Sequence, residues 1–263
     1  VTRLAVRRLT RLRAWLDGRP GGRDRALHAV GDGGYTNATV LKGLPERTVF
    51  LGRLRKHAEL YFPPEPGPEA AKARKPTYGR RAPTPEALLK DPGEPFLTVK
   101  AFAAGKEHAF RVKTLAPVLT RMNGGRQALR VVCLAPLAYR PKKGSRLLYR
   151  EPAYLACTDL DLPLEQVVQD FAWRWGIEVN HRDEKTLLGV GEAQVRNPEA
   201  VARVPALLVA VYALLRLAAR QTFGSDSLAQ TLPRPKWQPE RDRTHPSTVE
   251  LIRHVRAELW GRA

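Results

Sequence analysis

Two acidic residues in this basic chain have neighbours suited to carboxylate chemistry. Asp32 lies in "AVGDGGYTN", at the expected carboxyl end of a strand, and Glu178 lies in "FAWRWGIEVNHRDEK" between Arg174 and Lys185. Strand ends of α/β folds are where ligand and catalytic groups collect. The glycines around Asp32 leave room for a phosphate or a metal ion beside its carboxylate. On one continuous helix Phe171, Arg174, Glu178 and Lys185 step along one face, with the acid held between two cationic phosphate clamps. Each stretch also has a plainer reading. Asp-Gly is a strong hairpin signal, although the residues after Asp32 read as helix and not as a pairing strand. Glu178 and its basic neighbours also fit an i,i+4 pair on a solvated face.

Other reactive side chains are weaker candidates. His181, Asp183 and Glu184 lie close to Glu178 in sequence, but neighbouring helical positions point in different directions. Asp159 and Asp161 in "CTDLDLP" are explained by a helix cap and a polar strand end. Trp173 and Trp175 offer rings for stacking on an unpaired base, and at least one of the two is expected in the core. The six His show no HExxH spacing, which argues against a zinc hydrolase. Cys133 and Cys157 form no CxxC pair and sit in apolar, β-like runs. They read as buried free thiols of a reducing compartment.

The whole chain supplies the field in which these groups act. Its 263 residues, 43% of them hydrophobic and five of them Trp, suffice for a real core. A formal charge of +19 and a pI near 10.6 point to a polyanionic partner, since Lys and Arg on phosphates supply most non-specific nucleic-acid affinity. Double-stranded DNA is the expected partner. An Arg-, Ala- and Pro-rich composition contributes part of that charge. No signal peptide is visible, and the longest uncharged apolar run, Val204–Leu215, is too short to span a bilayer. A cytoplasmic protein with no membrane partner is expected. The chain opens on Val, and a fragment of a longer protein is expected.

Periodicity and turn residues give the elements that must position the acids. Val1–Leu16 reads as an amphipathic helix in which Leu4, Leu9, Leu12 and Leu16 alternate with arginines. "RALHAVGDGGY" reads as a strand, "TNATVLKGL" as a short helix capped by Thr36 or Asn37 and closed by Gly43, and "RTVFLGRLR" as a second strand. The resulting division is an α/β piece at 1–62, a Pro-rich basic linker at 63–95, a β-rich block at 96–160, a helical part at 161–223 and a tail at 224–263. The linker is expected to be extended. One helix is expected from Asp161 and Pro163 through to about Gly189. A second starts at Asn197-Pro198-Glu199, apolar on nearly every side and therefore expected to be buried. The tail is expected to be loop-rich and to end in the helix "TVELIRHVRAELW".

The spacing F-x2-R-x3-E-x6-K resembles the Y-x2-R-x3-E-x6-K signature of DDE transposases from bacterial insertion sequences. "RWGIEVNHRDEKTLLGVGEAQVRNP", "GDGGYTNATVLKGLPERTVFLGRLRK" and the tail "PSTVELIRHVRAELW" are also similar to that family, so the resemblance covers nearly the whole chain. It implies a ribonuclease-H-like fold with a β-rich insertion before the Glu-bearing helix. It further implies three carboxylates holding two Mg²⁺ (or Mn²⁺) ions for in-line attack on a phosphodiester. Carried over by motif position, Asp32 is the second acid and Glu178 the third, both metal ligands. Arg174 and Lys185 grip DNA-end phosphates, Phe171 and Trp173 join them at the DNA, and a homo-oligomer on DNA is expected. Two departures stand out. Phe171 replaces the signature Tyr, losing a phenol contact. Upstream of Asp32 only Asp17 and Asp24 occur, neither on an expected strand, so the family's first Asp is expected to be missing. Without the strand that carries it, "RALHAVGD" is expected to leave one edge vacant. The resemblance leaves three readings open: a transposase that cleaves and joins transposon ends, an inactive DNA-binding remnant, and an unrelated basic nucleic-acid-binding protein.

Overall fold

The computed structural model describes residues 1–65, 76–103, 106–125, 127–140, 144–223 and 247–261. The chain divides into two compact units, Val1–Arg174 and Trp175–Ala263. The first is α/β. Its elements run α1 (Thr2–Asp17), β1 (Leu27–Gly31), α2 (Ala38–Lys42), β2 (Thr48–Arg53), α3 (Pro85–Lys90), β3 (Leu97–Ala103), β4 (Lys106–Val118), β5 (Leu129–Leu134), β6 (Ala138–Tyr139), β7 (Leu148–Tyr149), β8 (Ala153–Cys157) and α4 (Leu164–Trp173). A single mixed sheet takes the order β1-β2-β8-β5-β4-β3, with β6 and β7 as a separate small ladder. Among the described residues only β1 and β2 run parallel, from Leu27 opposite Thr48 to Gly31 opposite Gly52. The sheet therefore joins strands from the 1–62 segment to strands from the 96–160 block.

Both faces of the sheet are covered, and the strands alternate between them as a two-residue period requires. In β8, Ala153, Leu155 and Cys157 face α4 with Val167 and Val168, while Tyr154 and Ala156 face the opposite layer with Leu60, Ala82 and Leu88. Val131 and Val132 of β5 split in the same way. On that opposite face, Phe50 packs with Val40 and Leu41 of α2 and with Val6 of α1. At the end of the order, β1 has β2 on one side and, among the described residues, no strand on the other. None of its residues is buried. This is the vacant edge anticipated above.

The second unit is helical: α5 (Gly176–Leu188), α6 (Pro198–Phe223) and α7 (Thr248–Gly261). Tyr212 of α6 donates to Asn180 of α5 at 2.9 Å, and Thr248 of α7 donates to Asp183 of α5 at 2.7 Å. Ser247 and Glu250 form a reciprocal cap on α7, the N–H and hydroxyl of Ser247 both reaching Glu250 Oε2.

Several expectations need correction. The helix expected from Asp161 to Gly189 is two helices, because its hydrogen-bond ladder is interrupted around Trp175 and Gly176. Glycine is the poorest helix former after proline. The backbone at Arg174 and Trp175 keeps right-handed helical angles. Phe171 accordingly lies on α4 with Arg174 at its C-cap, and Glu178 and Lys185 lie on α5. Neither Trp173 nor Trp175 is in the core; they are 62% and 55% exposed. α6 is not buried either, since Leu207 and Leu214 are each 63% exposed. By length and composition α6 is also apolar enough to cross a membrane, with a mean hydropathy of 1.8 over its most apolar 18 residues. On α1 the inward position belongs to Arg13, buried against Asp17 and three backbone carbonyls, while Leu4 and Leu12 face outward. The 63–95 segment is not extended throughout. Residues 66–75 lie outside the described residues, but Thr84 caps α3 through the Ala87 N–H, and Pro85 opens that helix. In the tail, 224–246 also lie outside the described residues.

Candidate functional site

The Asp32 loop is built on the close approach of two strand ends. A side chain at Gly52 would bring its Cβ within 2.2 Å of Thr36 Oγ1, and one at Gly31 within 2.9 Å of Tyr35 Cβ. The two glycines let the loop 32–36 fold back over β2. Asp32 Oδ1 accepts from the Gly34 N–H at 2.9 Å, and its carbonyl accepts from the Tyr35 N–H at 3.1 Å. Asn37 Oδ1 caps α2 through the N–H groups of Thr39 and Val40. The segment therefore passes from strand through turn to helix, which excludes the hairpin reading. The exposed carboxylate of Asp32 stands at the carboxyl end of the parallel pair β1–β2, where α/β sheets place ligand groups.

Four residues before Asp32, His28 ties β1 to α4. Its Nδ1 lies 2.7 Å from Asp170 Oδ2, and Gln166 Nε2 donates to Asp170 Oδ1 at 2.6 Å. Asp170 is buried, 6% exposed, on the helix face that carries Val167 and Val168. One turn on, the Arg174 N–H bonds the Asp170 carbonyl at 3.2 Å. This tie was missed in the sequence. The available signal was an acid among inward-facing valines in a chain poor in acids.

The remaining signature residues divide between the two units. Phe171 is half-buried and packs on the sheet with Leu164 and Val168, as a core residue does. Arg174 is half-buried where α4 ends. Glu178 and Lys185 are exposed on α5 in the second unit. Trp173 lies on α4 with its ring in solvent. His181 contacts Glu184 at 3.3 Å and Asp183 contacts Thr248 and Arg182, so these three belong to the helix's own packing.

Asp32 and Glu178 are hard oxygen donors of the kind Mg²⁺ and Mn²⁺ prefer. Among the described residues, however, no group of three or more His, Cys, Asp or Glu side chains is placed to hold a metal ion. The carboxylates described do not complete a metal cage. The thiols offer no alternative nucleophile. Cys133 and Cys157 are buried and unbridged, and burial pushes Cys133 up to about 12 and raises Cys157 as well. An open cleft of about 470 Å³ lies at the other end of β1 and β2, lined by Arg23, Arg25 and Arg47 against Asp24, Asp159 and Asp161. Its opposed charges give no net field for an anion. No family model matches the chain, and no curated protein matches it.

Proposed function

We propose that the chain is the part of a DDE transposase that engages transposon ends, acting on double-stranded DNA in the bacterial cytoplasm on a ribonuclease-H-like core. The observation that carries this reading is Asp32. An exposed acid follows the last residue of a strand paired in parallel, in a loop that leads into a helix. The open edge of β1 supports it too, because the strand bearing the first acid would pair there. The F-x2-R-x3-E-x6-K spacing and the charge of +19 supply the phosphate-binding half of the reading. Arg174 and Lys185 grip the DNA backbone, Arg174 as a planar fork and Lys185 as a point charge.

Metal-dependent cleavage is the activity of the family that the chain resembles, and it uses three carboxylates. Asp32 and Glu178 are two. Residues 1–263 by themselves are therefore an end-binding protein without strand cleavage, and imperfect placement of an attacking group costs orders of magnitude in rate. The test is a nicking assay on plasmid carrying candidate transposon ends, with purified 1–263 in Mg²⁺ or Mn²⁺, beside a duplex-binding assay. Binding without nicking is the expected result. Metal-dependent nicking that Glu178→Ala abolishes would show a third acid within this chain and overturn the inactive reading. Absence of duplex binding would overturn the transposase reading itself.

A further inference from the structure

Arg80 and Arg81 belong to an aromatic ladder that the Asp32 loop does not use. Three short stretches pair there. Tyr61 exchanges backbone bonds with Leu119 at 3.0 and 2.7 Å, the Phe62 N–H bonds the Arg80 carbonyl at 2.9 Å, and the Ala82 N–H bonds the Leu60 carbonyl at 2.9 Å. Leu60, Ala82 and Val118 bury the inner side of this ladder in the core. The outer side is cationic. The Arg80 guanidinium lies 4.6 Å from the Phe62 ring, and that of Arg121 lies 5.2 Å from the Tyr61 ring. Tyr61 in turn leans on Tyr78, with centroids 5.1 Å apart. Thr77 and Tyr78 press on the Gly124–Gly125 turn so closely that a Cβ at Gly125 would meet Thr77 Cγ2 at 2.6 Å. Lys42 of α2 reaches the same turn, about where a Gly124 side chain would begin. Glu59 offsets one of these charges by contacting Arg81 at 3.3 Å. Arg80, Arg121 and Lys42 are exposed.

We propose that this ladder is a second contact for the sugar–phosphate backbone of duplex DNA, built from segments other than the Asp32 loop and the α4–α5 signature. The proposal rests on the DNA-binding reading above. Guanidiniums laid on aromatic faces lose less freedom on binding than solvated ones, and a planar fork matches a phosphate's paired oxygens. A duplex presents a charge about every 1.7 Å along its axis, so cations on one ladder engage neighbouring phosphates without base contacts.

The experiment is fluorescence anisotropy of a labelled random-sequence duplex across a salt series. The proteins are wild type, Arg80→Gln, Arg121→Gln, the double variant, Phe62→Leu and, as a separate arm, Arg174→Ala with Lys185→Ala. Matched thermal melts confirm that each variant folds. Each arginine substitution should flatten the log Kd against log salt slope by about one, and the double by about two. Phe62→Leu keeps the charge but removes the platform. It should weaken binding a few-fold, by about 2–5 times, and leave the slope alone. An unchanged slope in the double variant, with the Arg174 and Lys185 arm flattened, would overturn the ladder and leave the proposed function standing. No duplex binding by wild type would overturn both.

Discussion

Asp170 is the point at which the fold's hold on the Asp32 strand can be weighed. The carboxylate is 6% exposed and takes one hydrogen bond from Gln166 at 2.6 Å and one contact with His28 Nδ1 at 2.7 Å. Hydrogen bonds to a charged group contribute about 1.5–3 kcal/mol each. His28 and Gln166 are only partly covered and regain water when the acid is removed, so the low end applies. Asp170→Ala should then cost about 3 kcal/mol, from two bonds at about 1.5 kcal/mol each. His28→Ala should cost about 1.5–2 kcal/mol, because it leaves the buried carboxylate with Gln166 alone. For a unit of this size, about 3 kcal/mol corresponds to a fall in Tm of roughly 6–12 °C. Urea midpoints for wild type, both single variants and the double variant give the coupling, expected at about 1–2 kcal/mol. Costs that add to within about 0.5 kcal/mol would refute the tie, since residues in contact do not behave independently. The result bears on function because the tie joins the strand that ends at Asp32 to the helix that ends at Arg174.

Two further outcomes are expected. Cys133 is protonated in both states below about 9, its ordinary value, and its folded value is about 12. The stability from keeping it protonated is therefore present below pH 9 and is lost as pH rises through that window, because only the unfolded chain ionises. Relative to Cys133→Ala, wild type should lose up to about 1.4 kcal/mol per pH unit there, and iodoacetamide should leave the native thiol unmodified at pH 8. Gly52→Ala would bring a Cβ within 2.2 Å of Thr36 Oγ1 and 2.6 Å of the Phe50 ring, so it should cost about 1–3 kcal/mol. Thr36→Ala should restore part of that loss, and additive losses in urea titrations would show that the Asp32 loop does not lie against β2 as described.

The elements with local causes were legible in the sequence. The Asn37 cap and Gly43 stop of α2, the strands flanking it, the β block and the helix "TVELIRHVRAELW" of α7 all rest on short-range chemistry. Long-range choices were not legible. Period alone does not reveal that Arg13 would be the buried residue of α1, because the reason is a set of carbonyls at Gly22, Arg25 and Arg47 brought in by the chain's return. Nor does it reveal that His28 would meet Asp170, 142 residues away. α6 misled for a different reason. An apolar helix reads as buried from composition, but burial depends on what packs beside it, and among the described residues only Tyr212 and Ala219 of α6 are buried. The candidate acids themselves were found from residue type and spacing, whereas the helix expected to carry the signature was extrapolated through a glycine.

That glycine makes the extrapolation testable. Gly176 begins α5 just beyond the boundary between the units, and a Cβ built on it meets nothing within 4 Å. Its neighbours Arg174 and Trp175 already have helical backbone angles. The interruption is thus set by propensity and not by a steric bar. Replacing glycine with alanine in a helix interior gains about 0.5–1 kcal/mol. Gly176→Ala should therefore extend the hydrogen-bonded ladder across Trp175, increase the far-ultraviolet helical signal and protect the amides of Trp175–Ile177 from exchange. A continuous helix would also fix the offset between Arg174 and Glu178 at the i,i+4 spacing. If the signature works as a single stripe, the variant should bind duplex DNA at least as tightly as wild type. If it works through a junction that adjusts, the same variant should bind more weakly while being more stable. Unchanged helicity and unchanged exchange at Trp175–Ile177 would refute the propensity argument and assign the break to the packing of α4 on the sheet, through Val167, Val168 and Asp170.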